Sequence, residues 1–328
     1  MMQDMLLDVQ DLVVHFQVYG GYLRVLDGVQ LRVRRQEKVG LVGETGCGKT
    51  TTMKTVMGIL PQPPGVIKGG KILFQGKDVL SMRPHELENL RRRGISMIFQ
   101  DPTAALNPVF TVGEQLKDAI RYALGRRDHG SLKEVALSAL QAVALPDPSR
   151  ILESYPIQLS GGMRQRVCIA LALACPKELL IADEPGTSLD VTIQDQILRL
   201  INRLAEERKM AVILISHSLG VIRGWTERVY VMYAGTIVEE AKTSELFSRP
   251  LHPYTKALMG CVPKLTGEGI AEGIPGRIPD YFDPPSGCRF HPRCAYRMEV
   301  CQLEKPRLFE VESEHRVACF LFGRKKDE

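Results

Sequence analysis

One short glycine-rich run in this sequence carries the residue types that bind phosphate. An apolar strand pattern over 38–42 is followed by Gly43, Glu44, Thr45, Gly46, Cys47, Gly48, Lys49, Thr50 and Thr51, which fits G-x-x-x-x-G-K-[ST]. The glycines let backbone N–H groups turn inward around an anion, and the predicted helix 51–60 points its positive end at the same place. Lys49 can reach the β- and γ-phosphates, and the Thr50 hydroxyl can bind Mg²⁺. The run therefore predicts a nucleoside triphosphate site.

A cysteine lies inside this loop. Cys47 is at a helix N-terminus beside Lys49, and such a setting lowers the pKa of a thiol. We predict that alkylation of Cys47 blocks hydrolysis and that bound nucleotide protects it.

Two adjacent carboxylates follow another apolar strand pattern, residues 179–182. Asp183 and Glu184 are costly to bury side by side unless a cation or a substrate proton uses them. Asp183 suits the surroundings of Mg²⁺, and Glu184 suits a base that polarises water. We predict these roles for them.

Polar residues also follow the apolar runs 95–99 and 212–215. Gln100 comes directly after the first run and is a candidate for Mg²⁺ or the attacking water, because ligands bind at the carboxyl edge of such sheets. His217 follows the second run and can donate a hydrogen bond to the γ-phosphate. Taken singly, a strand-end amide and a lone histidine are more often structural.

A second predicted helix N-terminus offers another anion site. Ser160, Gly161 and Gly162 precede a helical pattern over 163–174 and present bare N–H groups and a hydroxyl. Asp190 precedes a helix that begins near Val191, where the structural alternative is an N-cap.

Four of the eight cysteines lie in the Pro- and Gly-rich tail, at Cys288, Cys294, Cys301 and Cys319. So small a segment has too little core to fold unaided, and a Cys₄ metal site would stabilise it. The C-x₅-C and C-x₆-C spacings are neither a zinc-finger nor a ferredoxin pattern, so zinc, an iron–sulfur cluster and free thiols remain open.

Composition bounds the class of protein. The chain has 328 residues, 44% of them hydrophobic and 25% charged, as in ordinary globular proteins. No run approaches the roughly 18 apolar residues of a membrane span, and Asp4 and Asp8 do not suit a signal peptide. We expect a cytosolic chain. The net charge of +5 favours no particular anionic partner, and we predict no nucleic-acid partner.

These patterns predict an α/β fold with a P-loop NTPase core, an N-terminal antiparallel β subdomain, a helical subdomain and a small Cys-rich C-terminal extension. Residues 5–34 alternate apolar and polar positions around a turn at Gly20, and residues 111–145 have helical periodicity. Phe16 is the first candidate for stacking on a nucleotide base, with Tyr19 and Tyr22 as alternatives.

The set of motifs resembles the ATPases of ABC transporters over residues 5–245. The order of the P-loop, Gln100, the run 159–166 (LSGGMRQR), LLIADE at 179–184 and His217 carries this resemblance. It implies a head-to-tail dimer in which the signature run of one subunit completes the ATP site of the other. Residues acting in trans would be Ser160, Gly161, Gly162, Gln165 and Asp190.

The resemblance also implies a second ATPase subunit, because this chain has one P-loop and one signature run. Two positions depart from the family pattern. Gly186 stands where Ser or Thr is usual, and Ser218 where an acidic residue often follows the histidine. Both departures put interface hydrogen bonds in doubt.

The runs QDPTAALNP at 100–108 and RPLHPYTKAL at 249–258 are similar to those of oligopeptide and dipeptide importers, a subfamily that includes nickel importers. The resemblance implies uptake of di- or oligopeptides, with nickel or another small solute as the alternative. It also implies a homologous partner ATPase, two transmembrane permease subunits, an external solute-binding protein and a position on the cytoplasmic face of the membrane. Because importers of this kind with a C-R-F-H-P-R-C pattern look like cluster carriers, it favours [4Fe-4S] over zinc.

The expected domains are an ATPase domain over 1–245, with its helical subdomain at about 101–175, and the C-terminal extension over 246–328. Two rival classes fit less well. Soluble ABC ATPases of translation resemble tandem duplicates, whereas this chain has a single site. DNA-repair ATPases would place a heptad coiled coil within 52–158, where no sustained heptad occurs.

Overall fold

The computed structural model describes residues 4–124, 130–187, 189–261 and 273–323, with side chains except at positions 130 and 131. The chain divides into two compact units. The P-loop unit comprises Met1–Arg34, Lys38–Ser81 and Ile215–Glu328. The signature unit comprises Arg35–Glu37 and Met82–Leu214.

Twelve strands and thirteen α-helices lie in the described residues. The strands are β1 (Met5–Val18), β2 (Gly21–Arg34), β3 (Lys38–Val42), β4 (Gly65–Phe74), β5 (Lys77–Asp78), β6 (Ile95–Ile98), β7 (Leu179–Asp183), β8 (Ala211–Ile215), β9 (Arg228–Tyr233), β10 (Thr236–Lys242), β11 (Phe309–Glu312) and β12 (His315–Val317). The helices are α1 (Lys49–Val56), α2 (Pro84–Asn89), α3 (Pro102–Ala105), α4 (Val112–Leu124), α5 (Gly130–Ala142), α6 (Pro148–Glu153), α7 (Gly161–Leu173), α8 (Val191–Glu207), α9 (Leu219–Trp225), α10 (Thr243–Ser248), α11 (Pro253–Gly260), α12 (Val300–Leu303) and α13 (Phe320–Gly323). In this part of the chain, a helix of the length and apolarity needed to cross a bilayer is not found.

The P-loop unit contains two sheets. The antiparallel sheet has the order β2-β1-β4-β5, and its β1–β2 hairpin turns at Gly20, where φ is +86°. The predicted N-terminal antiparallel region is therefore confirmed. In the second sheet β11, β12, β10, β9 and β3 lie side by side, and β3 pairs with β9 in parallel. Because β3 is buried along almost its whole length, it holds the P-loop at its carboxyl end on a rigid element.

The signature unit packs helices against β8-β7-β6, in which β6 and β7 are parallel. Apolar residues at helical spacing on α4 and α8, such as Leu116, Ile120, Ile197 and Ile201, join one core. The helical periodicity over 111–145 is confirmed as α4 and α5; residues 125–129 of that range lie outside the described residues.

The helix α2 is followed directly by a π-helical turn, Leu90–Gly94. The tail also contributes a hairpin that its composition did not indicate: β12 pairs with β10. Glu239 on β10 is fully buried, and its carboxylate accepts from His315 Nε2 at 2.8 Å and from the Leu251 N–H at 2.7 Å. A buried carboxylate needs such donors, which explains why tail and strand meet.

Candidate nucleotide-binding and hydrolysis site

The P-loop follows β3 directly, and its glycines are required by close backbone approach. Gly43 has φ +155°, and a Cβ there would lie 2.1 Å from the Met232 carbonyl oxygen. Gly48 has φ +106°, and its Cβ would lie 2.6 Å from Leu26 Cδ2. A side chain at either position would push the loop off β9 or β2, so the motif reflects packing as well as phosphate binding.

Lys49 begins α1 and is 6% exposed. Its ammonium group donates to the Gly43 carbonyl at 2.8 Å and to the Glu44 carbonyl at 3.1 Å. The ammonium group is thus held within the loop by carbonyl oxygens of the loop itself. Thr50 and Thr51, the predicted Mg²⁺ ligand and its neighbour, follow in the first turn of α1 and are half-buried. Thr45 and Gly46 are exposed at the tip of the loop.

One backbone donor of the loop is turned away from the expected direction. The Glu44 N–H donates to the Tyr254 hydroxyl at 3.0 Å, so it does not point into the cradle as the motif suggested. The Glu44 carboxylate accepts from Arg293 at 3.1 Å, and the Gly46 carbonyl accepts from the Tyr281 hydroxyl at 2.8 Å. Sequence reasoning missed these contacts, because the residues are over 200 positions apart.

The lowered thiol pKa predicted for Cys47 is wrong. The residue is 0% exposed, and its sulfur lies 2.8 Å from where a Gly43 Cβ would be. Burial raises the pKa of the Cys47 thiol, and the nearby Lys49 does not offset this. The helix N-terminus and the lysine are present as expected, but desolvation of the thiolate outweighs them.

Three of the predicted hydrolysis residues lie together in the signature unit. Asp183 ends β7 and is 3% exposed. Glu184 follows with φ +48°, a left-handed conformation that is uncommon for a residue with a side chain. Its carboxylate accepts a hydrogen bond of 3.0 Å from the Gln100 amide. The backbone strain and this donor together orient Glu184, as a general base requires.

The turn after Glu184 explains one departure from the family pattern. Gly186 has φ +101°, which strains the Ser or Thr usual at this position. Ser188 lies outside the described residues.

The signature run forms a capped helix start. Ser160 is exposed and its hydroxyl accepts from the Met163 N–H at 3.3 Å, while Gly161 and Gly162 open α7. Gln165 is buried, 1% exposed, so its side chain does not reach the surface that a partner would meet. A Cβ on Gly161 would lie 3.2 Å from Leu189 Cδ2, so a larger residue would press on the turn before α8.

Asp190 is the N-cap of α8. Its carboxylate accepts a hydrogen bond of 2.9 Å from the Ile193 N–H, which is the N-cap role given above as the structural alternative. Asp190 is also exposed, as is the neighbouring Val191, which is 81% exposed.

The remaining candidates lie in the P-loop unit. His217 is exposed and follows β8, and the Ser218 N–H donates to Ser216 Oγ at 3.0 Å, which fixes the turn. Phe16 is half-buried and pairs in the sheet with Leu23, whereas Tyr19 is fully exposed.

The four tail cysteines line one narrow cavity together with Phe290. Burial and the neighbouring thiols raise the pKa of Cys288 to about 12, and burial raises that of Cys319 to about 11. A bound cation would reverse this penalty. Cys294 and Cys301 complete the set. Across residues 4–124, 130–187, 189–261 and 273–323, however, no three His, Cys, Asp or Glu side chains are placed to hold one metal ion. The donor types fit a thiolate-bound group, and the observed arrangement does not support the predicted cluster or zinc.

Comparisons with known proteins agree with these motifs. A sequence profile described as "ABC transporter" matches residues 26–187. A second, described as "Oligopeptide/dipeptide transporter, C-terminal region", matches residues 238–301.

Full-length relatives carry similar descriptions. A probable peptide ABC transporter ATP-binding protein of Sinorhizobium fredii is 45% identical over 97% of this chain and 95% of its own length. The dipeptide transport ATP-binding protein of Bacillus subtilis is 45% identical over 96% of this chain and 94% of its own. Among solved structures, the dimeric ATP-binding cassette MJ0796 with ADP and Pi matches with a TM-score of 0.65 and 26% identity, covering 72% of this chain and 98% of that one.

Proposed function

The chain belongs to the ABC transporter family, and we propose that it is the ATP-hydrolysing subunit of an importer of di- or oligopeptides. The observation that carries the ATPase assignment is the Gln100–Glu184 hydrogen bond of 3.0 Å, because it orients the carboxylate that we propose accepts a proton from water. The P-loop with its buried Lys49 supplies the matching triphosphate site.

In the mechanism we propose, phosphoryl transfer to water depends on positioning and charge neutralisation. Lys49 and the P-loop amides bind the β- and γ-phosphates. Thr50, Gln100 and Asp183 would hold Mg²⁺, which would neutralise phosphate charge when bound. Glu184 takes a proton from water as the water oxygen bonds to the γ-phosphorus. The bond between that phosphorus and the β,γ-bridging oxygen breaks, so ADP leaves with the electron pair and inorganic phosphate is formed.

Three further candidates complete the site. His217 donates to the γ-phosphate, and Phe16 stacks on adenine. Ser160, Gly161 and Gly162 act on the ATP of a second subunit, since the N-terminus of α7 is exposed and favours an anion. ATP binding thus joins two ATPase subunits, and hydrolysis separates them. The exposed Asp190 and Val191 suit this interface. The dimer of the cassette MJ0796 supports the pairing; a homologous second ATPase is our preferred partner for this chain.

Peptides are the proposed cargo, because the relatives from S. fredii and B. subtilis are described as peptide and dipeptide transport proteins. Nickel or another small solute remains the alternative. An external solute-binding protein would deliver the cargo to two permease subunits, and this chain would bind them from the cytoplasmic face of the membrane. Exposed apolar residues in the signature unit suit such docking: Val109 is 70% and Ile157 is 81% exposed.

The cysteine cavity is a separate proposal. We propose that Cys288, Cys294, Cys301 and Cys319 hold a [4Fe-4S] cluster, with zinc as the alternative, because the four thiols line one narrow cavity. Such a group would stabilise the tail rather than take part in hydrolysis. Purification without oxygen, followed by iron, sulfide and zinc analysis, tests this. A preparation with neither iron nor zinc refutes both versions.

The experiment for the main function is reconstitution. The chain is co-expressed with candidate permease subunits and a partner ATPase, and ATP hydrolysis is measured with and without binding protein loaded with dipeptide. Stimulated hydrolysis that is lost with Lys49→Ala in this chain is the expected result. A chain that binds no ATP, or that no permease stimulates, would refute the proposal.

A further inference from the structure

Three side chains of the C-terminal segment contact the P-loop, and the mechanism above uses none of them. The Tyr254 hydroxyl accepts a hydrogen bond from the Glu44 N–H. Arg293 donates hydrogen bonds of 3.1 Å to both oxygens of the Glu44 carboxylate. Tyr281 donates its hydroxyl proton to the Gly46 carbonyl. We name Tyr254, Tyr281 and Arg293 the extension clamp.

Arg293 is fixed from both sides. Its side chain is 5% exposed, so its ion pair with Glu44 is poorly screened by solvent. Its other N–H groups donate to the Pro275 carbonyl at 2.9 Å and the Ile274 carbonyl at 3.0 Å. The guanidinium therefore connects the P-loop to two segments of the tail with little freedom to move.

An aromatic cluster anchors the clamp. The Tyr254 ring is fully buried and lies 4.6 Å from the Tyr233 ring and 5.4 Å from the Phe290 ring. Phe290 belongs to the same loop, 288–294, as Arg293, and its ring meets Tyr233 edge-on at 5.1 Å. Packing of these rings holds the loop and α11 against β9.

A glycine-rich loop loses much backbone entropy when it closes around phosphates. A scaffold that holds the loop beforehand reduces that loss and strengthens binding. We infer that Arg293 is a positioning residue of the nucleotide site, that it acts through Glu44, and that the C-terminal extension thereby sets the affinity for nucleotide. This inference rests on the proposed ATP-binding function. Arg293 directly precedes Cys294, so the same contact joins the cysteine cavity to the P-loop.

The test measures binding of Mg²⁺ and a fluorescent trinitrophenyl ATP to the full-length chain. Arg293→Gln is expected to weaken binding about tenfold, the size of one charge-assisted hydrogen bond. In the reconstituted transporter the loss is expected in KM for ATP rather than in kcat. Arg297→Gln is the matched control, because Arg297 is exposed on the same segment, and it is expected to bind within about twofold of the unmodified chain.

A double-mutant cycle separates positioning from general support of the fold. If Arg293 acts through Glu44, Glu44→Gln and the double variant Glu44→Gln/Arg293→Gln bind equally well, and Arg293→Lys recovers part of the affinity. Losses that simply add would overturn the route through Glu44. Tyr281→Phe removes one hydroxyl and serves if Arg293→Gln does not fold; it is expected to bind about threefold more weakly.

Failure of the inference is distinguishable from failure of the function. An unmodified chain that binds no nucleotide would overturn the ATP-binding function itself. If Lys49→Ala abolishes nucleotide binding while Arg293→Gln and Tyr281→Phe each bind within about twofold of the unmodified chain, the ATP-binding function stands. The inferred role of the extension clamp is then overturned.

Discussion

The side-chain amide of Gln100 donates a hydrogen bond of 3.0 Å to the carboxylate of Glu184. Gln100 follows β6 and Glu184 follows β7, which is the parallel neighbour of β6. Parallel pairing brings both strand ends to one edge, so residues 84 positions apart meet. The amide orients the carboxylate and leaves it able to accept a proton.

Replacement of Glu184 tests its role as base. Glu184→Gln keeps the size of the side chain and removes the proton acceptor, so we expect ATP binding to persist and hydrolysis to fall about 10²–10³-fold, with the closed dimer accumulating. Turnover and nucleotide binding are measured on the same reconstituted complex. Glu153→Gln, an exposed glutamate in the same unit, is the control. A Glu184→Gln rate above about a tenth of the original would contradict the assignment.

The exposed start of α7 predicts action on a neighbouring subunit. Ser160→Arg fills the anion site, so we expect hydrolysis by the complex to fall at least about tenfold while the chain's own P-loop binds ATP normally. Photolabelling of the separate subunits with azido-ATP distinguishes the two sites. Ser149→Arg introduces the same side chain at an exposed serine elsewhere in the unit, and hydrolysis by the complex is expected to be unchanged. Loss of labelling on the chain that carries Ser160→Arg would argue against a role in trans.

Burial of Cys47 predicts a thiol that reagents do not reach. Because the residue is 0% exposed and burial raises its thiol pKa, iodoacetamide is expected to leave Cys47 unmodified in the native chain and to modify it after unfolding. Cys261 is only partly buried and serves as the internal reference. Peptide mass spectrometry gives the extent at each site. Equal labelling of the two cysteines in the native state would show that the P-loop opens readily.

His252 predicts acid sensitivity of the segment that holds Tyr254. Its ring accepts the Tyr254 N–H at 3.0 Å, and burial lowers the pKa of His252 to about 4, with Glu239 acting in the opposite direction. The unfolded chain takes up this proton near pH 6.5, whereas the native chain does not. Stability is therefore complete above pH 6.5 and falls as the pH drops towards 4, by at most about 3 kcal/mol.

Urea unfolding at pH 7 and pH 5 measures this dependence. His252→Asn keeps a capping acceptor and has no titrating ring, so its free energy of unfolding is expected to change less between the two pH values. Identical pH dependence in the two proteins would contradict the prediction.

Much of the site followed from local sequence. Three parts of the site lie at junctions between regular elements: the P-loop, the carboxylates at the end of β7 and the cap at Ser160. The residue types at each junction indicate its backbone conformation and charge, because both depend on residues only a few positions apart. The antiparallel hairpin and the helical region were predictable for the same reason, because period-2 and period-3.6 patterns are local.

The features that local sequence did not predict share a physical cause. A lowered thiol pKa for Cys47 follows from its neighbours in sequence, but burial of the residue raises that pKa instead. The strand β12 of the tail places His315 beside the buried Glu239, a contact between residues 76 positions apart. Burial and partner choice are properties of packing that no short window of sequence contains.

The sequence by itself was enough to predict which residues would bind phosphate, which would supply carboxylates and which would cap the signature helix, because each prediction depends on chemistry and spacing within one junction. Only the tertiary structure decided that Arg293 and Tyr281 of the tail hold the loop at Glu44 and Gly46. Those contacts join residues over 230 positions apart, and they exist because the tail packs its aromatic rings on β9. The positions of these residues in the sequence do not predict the contacts, because the contacts form only when the tail packs against the core.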